Sequence, residues 1–326
     1  MGAPESVVVV SQLYLYPVKS CGGVAAPQAL VTKYGFLHDR FWVITDDEYK
    51  FITQREESRL VLIQPRIVDT DEAAALGELR PFLGLTIKGD PIVPELRVAL
   101  YPTNQELQKL KQCSVKVWAT HGNGYDLGDE VATWLSAFLG RPARMVRRAT
   151  TNMRPMCVNA PSVAVVEEPA QSAYADDAPM SIVSEASLAD VNAKRTTPVD
   201  IRHFRPNIVV TGCSPFAEET WTEVLVQPGP NHAASPTRIL VTSRCTRCTM
   251  VNNNPDTGIP LTDQPPLKTL MSYRRVDPGA KYQGCFSMNC APATLGQTLA
   301  VGDTVQIVAT GKHHRKKVVP QQAHPL

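Results

Sequence analysis

Apolar and polar residues alternate from position 8 to 15 until Pro17 stops the pattern, which predicts a strand at the start of the chain. Residues 41–45 and 51–53 repeat the strand signal, and the polar Asp46, Asp47 and Glu48 between them predict a hairpin. Shorter apolar runs at 60–63, 85–87 and 115–118 predict further strands. From about Asp129 the period lengthens. Val131, Leu135, Phe138 and Leu139 then share one helical face, and Gly140 with Pro142 closes the helix. Residues 150–180, rich in Pro, Ala and Asp, show no period and read as a crossing between two domains.

Beyond the crossing, 181–183 predicts a strand and Ser184 an N-cap, with a short helix running to Ala193. Residues 207–210 predict a strand. Pro228, Gly229, Pro230, Asn231 and Pro236 make 227–237 a loop before the next strand at 238–242. A helix over 267–273 places Leu267, Leu270 and Met271 inward, and Val301-Gly302-Asp303 turns into a last strand at 305–308. From Gly311 onward His313, His314, Arg315, Lys316 and Lys317 follow without apolar periodicity, so 311–326 reads as a flexible basic tail. Many short strands with few helices predict an α+β protein with barrel-like sheets, divided as 6–145, 150–310 and the tail.

Composition narrows the class without naming it. Hydrophobic residues at 43% and charged residues at 20% describe a core-forming chain. Lys plus Arg (33) nearly balance Asp plus Glu (31), which argues against nucleic acid as a partner, so any anion site must be local. The longest purely apolar run, residues 7–10, is far below the roughly 20 residues of a membrane span. Met1-Gly2-Ala3-Pro4-Glu5-Ser6 fits the loose myristoylation pattern, without a polybasic partner signal, and reads otherwise as a frayed terminus. Eight cysteines and no export signal predict free thiols in a reducing, cytoplasmic setting.

Cys245-Thr246-Arg247-Cys248 is the compact cluster of reactive groups. It reads as a redox dithiol, as half of a zinc site completed by Cys285 and Cys290, or as a single thiolate for a soft redox metal with Arg247 beside it. Inert cysteines are the plain alternative, and spacing alone does not choose. The dithiol reading needs a helix opening at the motif, whereas Asn252-Asn253-Asn254-Pro255 follows at once. Lys19 and Ser20, Arg40, and Arg205 with Asn207 form a scattered basic set. Lys19-Ser20 before Cys21-Gly22-Gly23 suits an anion cradle but lacks the glycine spacing of a nucleotide loop. Each of these residues, taken singly, is equally an ordinary surface cation.

The segment Leu13-Tyr14-Leu15-Tyr16-Pro17-Val18-Lys19-Ser20-Cys21 with His38-Asp39-Arg40-Phe41-Trp42 resembles the opening of a MOSC N-terminal domain. Ser184-Glu185-Ala186-Ser187-Leu188-Ala189-Asp190, Phe204-Arg205-Pro206-Asn207 through Cys213, and Cys245 to Cys248 with Pro255-Asp256-Thr257-Gly258 resemble the MOSC domain. In this order, over about residues 7 to 308, the chain resembles the amidoxime-reducing component family. The resemblance implies a β-rich MOSC barrel behind an N-terminal α/β domain. It also implies a molybdenum cofactor, a metal chelated by a pterin dithiolene and one protein cysteine, in a cleft between domains.

In that resemblance Cys248 matches the metal ligand and Cys245 a position that binds no metal. Lys19, Ser20, Arg40, Arg205 and Asn207 match residues that hold the pterin and its phosphate. Thr246 and Arg247 line the pocket, and Asp176, Asp177 and Ala178 match a segment approaching the cofactor, with Asp177 the one guess for a proton donor. The implied reaction is two-electron reduction of an N–O bond in amidoximes or hydroxylamines, with nitrite as a further substrate. No Gly-x-Gly-x-x-Gly fingerprint occurs, so electrons are expected from cytochrome b5 and its NADH-dependent reductase, or from a nitrate reductase, acting on a monomer. A sulfur- or cofactor-carrying MOSC protein and a non-catalytic zinc module are the alternatives. Asn254 stands where the family commonly has Asp, Phe286 where relatives place Tyr, and Ala178 where some carry a hydroxyl. Phe286 is nonetheless expected at the cofactor.

Overall fold

The computed structural model describes residues 7–151, 154–230 and 232–316. Asn231, Lys317 and the segment Met1 to Ser6 therefore lie outside the described residues. Seven strands close into a barrel in the order Val9–Leu15, Ile208–Thr211, Met180–Ser184, Cys285–Pro292, Thr237–Thr246, Trp221–Gln227 and Thr304–Thr310. The last strand returns to the first through Val9 and Thr304. Only the pair Met180–Ser184 with Ile208–Thr211 is parallel; the helix Glu185–Ala193 lies in the connection between these two strands. Val10, Leu13, Ile182, Ile208, Val224 and Met288 fill the interior. The first strand carries a bulge between Val10 and Gln12, so its inward residues change from even to odd numbers.

Against the barrel stands a four-stranded sheet, ordered Trp42–Thr45, Arg144–Arg148, Thr120–Asp126 and Gln112–Val117. A meander of Ile63–Val68, Phe82–Ile87 and Leu96–Ala99 and the helix Asp129–Leu139 complete this part. Its core gathers Trp42, Ile44, Leu60, Leu83, Leu135 and Met145. The helix ends as its sequence predicts: Gly140 takes a left-handed backbone (φ 66°), and its N–H reaches the Ser136 carbonyl at 2.9 Å. No helix among the described residues is long and apolar enough to cross a membrane.

Four sequence expectations change. Residues 58–62 form a 3-10 turn capped by Glu57, and the strand begins only at Ile63, because a short apolar run does not distinguish the two. The expected 41–53 hairpin reduces to a single bridge, Thr45 to Phe51, since Trp42–Thr45 pairs with Arg144–Arg148 instead. The first strand is built into the barrel of the second half, so the sheets do not divide where the chain was expected to divide. Residues 311–316 are docked rather than flexible, with His313 and Arg315 buried.

Ser184 caps its helix as expected, its Oγ accepting the Ser187 N–H at 3.0 Å. The fully buried Glu218 binds the Ser184 N–H (3.1 Å) and the Ser187 hydroxyl (2.7 Å) from below. Ser184→Ala should therefore cost about 1–2 kcal/mol, read as a lower denaturation midpoint with unchanged slope.

Candidate functional site

The site lies where the barrel meets the four-stranded sheet, in an open cleft of about 880 Å³. Two loops from the first half build one wall. Lys19 N–H donates to the Trp42 carbonyl and Arg40 N–H to the Tyr16 carbonyl, each at 2.8 Å, so the residues around 16–21 and 38–42 hold each other. The opposite wall is the end of the strand Thr237–Thr246, where Cys248 sits in extended backbone and begins a 3-10 turn over Thr249–Asn252. That turn is tied to the first half: Asn253 Nδ2 donates to the Gln54 carbonyl at 2.9 Å, and Gln54 Nε2 donates to the Ser20 carbonyl.

Lys19, Ser20, Arg40, Asp176, Asp177, Ala178, Arg205, Asn207, Thr246, Arg247 and Cys248 all line this cleft, though they come from distant parts of the chain. Ser20, Arg40 and Arg205 have left-handed backbones with φ of 69°, 47° and 51°. Such a conformation costs a non-glycine residue of order 1–3 kcal/mol, and its recurrence at three polar cleft residues marks the place as functional. Tyr16 is the wedge between the arginines: the Arg40 and Arg205 guanidinium carbons lie 4.5 and 4.2 Å from its ring centre. Tyr16 carries no sequence signal for that role beyond its buried place beside Pro17.

The charges are mostly paired, with a remainder. Lys19 donates to Asp176 at 2.5 Å and to the Tyr174 carbonyl at 2.9 Å. Burial lowers the Lys19 pKa, and Asp176 opposes that. Asp176 opens to the cleft yet is walled by protein. Burial pushes its carboxyl up, but Lys19 and Trp118 outweigh this and hold it well below the ordinary carboxylate range. Arg40 binds the buried Asp39, and its donors also reach the Asn207 side-chain oxygen and the Arg205 carbonyl, both at 3.2 Å. Asn207 thus serves the cleft by orienting Arg40. Arg205 forms no ion pair among the described residues; it donates to the Cys21 carbonyl, and burial, then Arg40, lowers it to about 10. The Ser20 hydroxyl is buried with no hydrogen-bond partner.

Three of the expected residues acquire partners that the sequence did not show. Phe286 does not reach the cleft: it is fully buried against Phe204, ring centres 4.1 Å apart, and serves through its carbonyl, which accepts two donors of Arg247. Arg247 accordingly directs its fork at the Phe286 and Phe204 carbonyls and Ser287, bracing the wall more than facing an anion. Asp177 lines the cleft and pairs one carboxylate oxygen with Arg315. Asn254 replaces an acid without losing the turn, because its Oδ1 accepts the N–H groups of Asp256 (2.8 Å) and Thr257 (3.2 Å) as a carboxylate would.

Among the described residues, no group of three His, Cys, Asp or Glu side chains is placed to hold a metal, and Cys285 and Cys290 are fully buried in a barrel strand. A structural zinc cage takes four such ligands, so these residues give it no support. The dithiol reading also fails, since a four-residue 3-10 turn follows Cys248 in place of a helix. A cleft thiol that belongs to no such group fits a metal whose other ligands arrive with an organic group. The free Ser20 hydroxyl and the uncompensated Arg205 fit that group's anionic end.

Residues 7–142 match the family described as the MOSC N-terminal beta barrel domain, and residues 169–306 match the MOSC domain. Fold and cleft together define a two-part MOSC-domain protein. The chain is 36% identical to mitochondrial amidoxime reducing component 2 of Bos taurus, over 92% of this chain and 83% of that one. It is 35% identical to component 1 of Mus musculus (84% and 74% covered) and 34% identical to that of Homo sapiens (85% and 75%). The chain belongs to the amidoxime-reducing component family of MOSC-domain proteins.

Proposed function

We propose that this protein is a molybdenum-cofactor-dependent reductase of N-hydroxylated compounds, amidoximes and hydroxylamines foremost. The observation that carries the reading is a cleft that holds the Cys248 thiol, with no group of three metal-ligating side chains among the described residues, beside a cradle with an unpartnered hydroxyl and an unpaired guanidinium. Cys248 would bind the metal as thiolate. Ser20 and Arg205, with Arg40 set by Asn207 and Asp39, would hold the pterin phosphate. When bound, the group supplies two-electron redox chemistry suited to breaking an N–O bond.

The chain's own part is to orient and enclose. Phe204, Met180 and Val251 give the cleft an apolar side that strengthens charged contacts within it, while Tyr16 keeps both arginines in place. The overall change is addition of two electrons and two protons to the N-hydroxyl compound, releasing water and the reduced nitrogen. The electrons would come from cytochrome b5 and its NADH-dependent reductase, or from a nitrate reductase, and nitrite is a second candidate substrate. Eight unpaired cysteines support a reducing, cytoplasmic compartment, and we take the working species to be a monomer.

The test is metal and pterin analysis of purified protein, followed by benzamidoxime reduction with a chemical reductant and then with reconstituted cytochrome b5 and its reductase. About one molybdenum per chain and benzamidine formation are expected. Zinc alone would end the proposal, and a persulfide on Cys248 without molybdenum would favour the sulfur-carrying alternative.

A further inference from the structure

Residues 311–316 follow the last barrel strand and lie beyond the matched MOSC domain, which ends at 306. They run back across the molecule under many fixed contacts. Gly311 N–H donates to the Thr220 carbonyl at 2.7 Å, the His313 ring lies 2.6 Å from the Trp221 carbonyl, and Arg244 donates to the His313 carbonyl at 3.1 Å. Asn159 clasps the end, its amide donating to the His314 carbonyl (2.9 Å) and its oxygen accepting the Lys316 N–H (2.7 Å). Asp277 accepts the Arg315 N–H at 3.0 Å. These contacts aim the Arg315 side chain, 7% exposed, at the carboxylate of Asp177 in the cleft wall, while its other nitrogen donates to the Arg244 carbonyl.

The segment so reached has little structure of its own. Residues 173–178 follow a strand of two residues, Gln171–Ser172, and lack a ladder of backbone bonds. Cations hold them instead. Arg154 takes the Ala173 and Ala175 carbonyls at 3.0 and 2.7 Å, Lys19 takes Asp176, and Arg315 takes Asp177. Asp176, Asp177 and Ala178 are cleft wall. We infer that residues 311–316 are a strap and Arg315 a positioning residue: through Asp177 it fixes the 176–178 wall and so retains the anionic pterin group in the cleft. The retaining role rests on the function proposed above; the positioning of the wall does not.

Hydrogen–deuterium exchange of the full chain, prepared without molybdate, tests the positioning directly. A charge-assisted bond of this kind predicts about tenfold to a hundredfold faster exchange at 173–178 in Arg315→Ala, with partial recovery in Arg315→Lys. At 173–178 Asp177→Asn should match Arg315→Ala, and the double variant should be no worse than either, since the bond they share is the one that reaches this segment. Gly279→Ala is a second route that leaves every charge in place: its Cβ would fall 1.9 Å from the Arg315 carbonyl oxygen and must displace the strap.

In protein loaded with cofactor, the same variants should release pterin into a filtrate about tenfold faster, with a smaller effect on the global unfolding midpoint. Unchanged exchange at 173–178 in both Arg315→Ala and Gly279→Ala overturns the strap, as would additive effects in the double variant. A wild-type chain that carries no pterin overturns the retaining role together with the function it rests on, and the exchange result stands apart from that outcome.

Discussion

Cys248→Ser will leave a folded protein that carries little or no molybdenum and has lost amidoxime reduction by more than about a hundredfold. Loss of a residue that merely supports a metal ligand typically costs 10- to 100-fold, so loss of the only protein ligand must exceed that. Serine keeps the size of the side chain and removes the soft, polarisable donor that a redox metal of this kind selects. Folding should be spared, because Cys248 is only partly buried, in the turn just beyond a strand end. Cys245→Ser is the internal comparison. Both cysteines line the cleft, and the proposed ligand is the second, so Cys245→Ser should keep its molybdenum. Metal content per chain, alongside turnover with a chemical reductant, reads both variants. Equal molybdenum in wild type and Cys248→Ser would remove the ligand assignment.

Arg40→Ala is expected to damage both stability and cofactor retention, with a pH signature. Asp39 is 2% exposed and accepts the Tyr16 N–H at 2.8 Å, so its charge relies on Arg40. Burial pushes the Asp39 carboxyl above its ordinary value, and Arg40 is the largest opposing influence. Removing Arg40 leaves a buried carboxylate uncompensated, a loss of about 3–5 kcal/mol near neutral pH. Its folded pKa then rises further above the unfolded one. A group raised in this way contributes stability at pH below its unfolded value and loses it as pH rises through the folded value. The gap between wild type and variant should therefore narrow on acidification. Denaturation midpoints at about pH 7.5 and about pH 4.5, on protein made without molybdate, check this. A gap independent of pH would show that Asp39 is not the cause.

Helix ends were legible in the sequence where local chemistry decides them. Ser184 before Glu185–Ala193, and Gly140 after Asp129–Leu139, act within a few residues of themselves, so the chain announces them without its fold. The site residues were legible through motif order: Lys19, Ser20, Arg40, Arg205 and Cys248 do meet in one cleft. Their division of labour was not. Asn207 and Arg247 line the cleft as expected, yet they also direct donors and acceptors at neighbouring protein groups, because a side chain's partners depend on distant backbone that no spacing reveals. Phe286 differs for the same reason: its carbonyl meets Arg247 at the cleft wall, while its ring packs on Phe204 in the core.

The sequence by itself determined the strand-rich class, the helices with their caps, and the set of polar residues capable of anion and metal chemistry, since periodicity and capping are local and a residue's chemistry travels with it. Only the tertiary structure decided that Val9–Leu15 closes a barrel from the other half, that Tyr16 parts two arginines, and that residues 311–316 of a basic, aperiodic stretch are docked. Those outcomes depend on which buried carbonyls and carboxylates lie opposite, and long-range burial leaves no period in the chain.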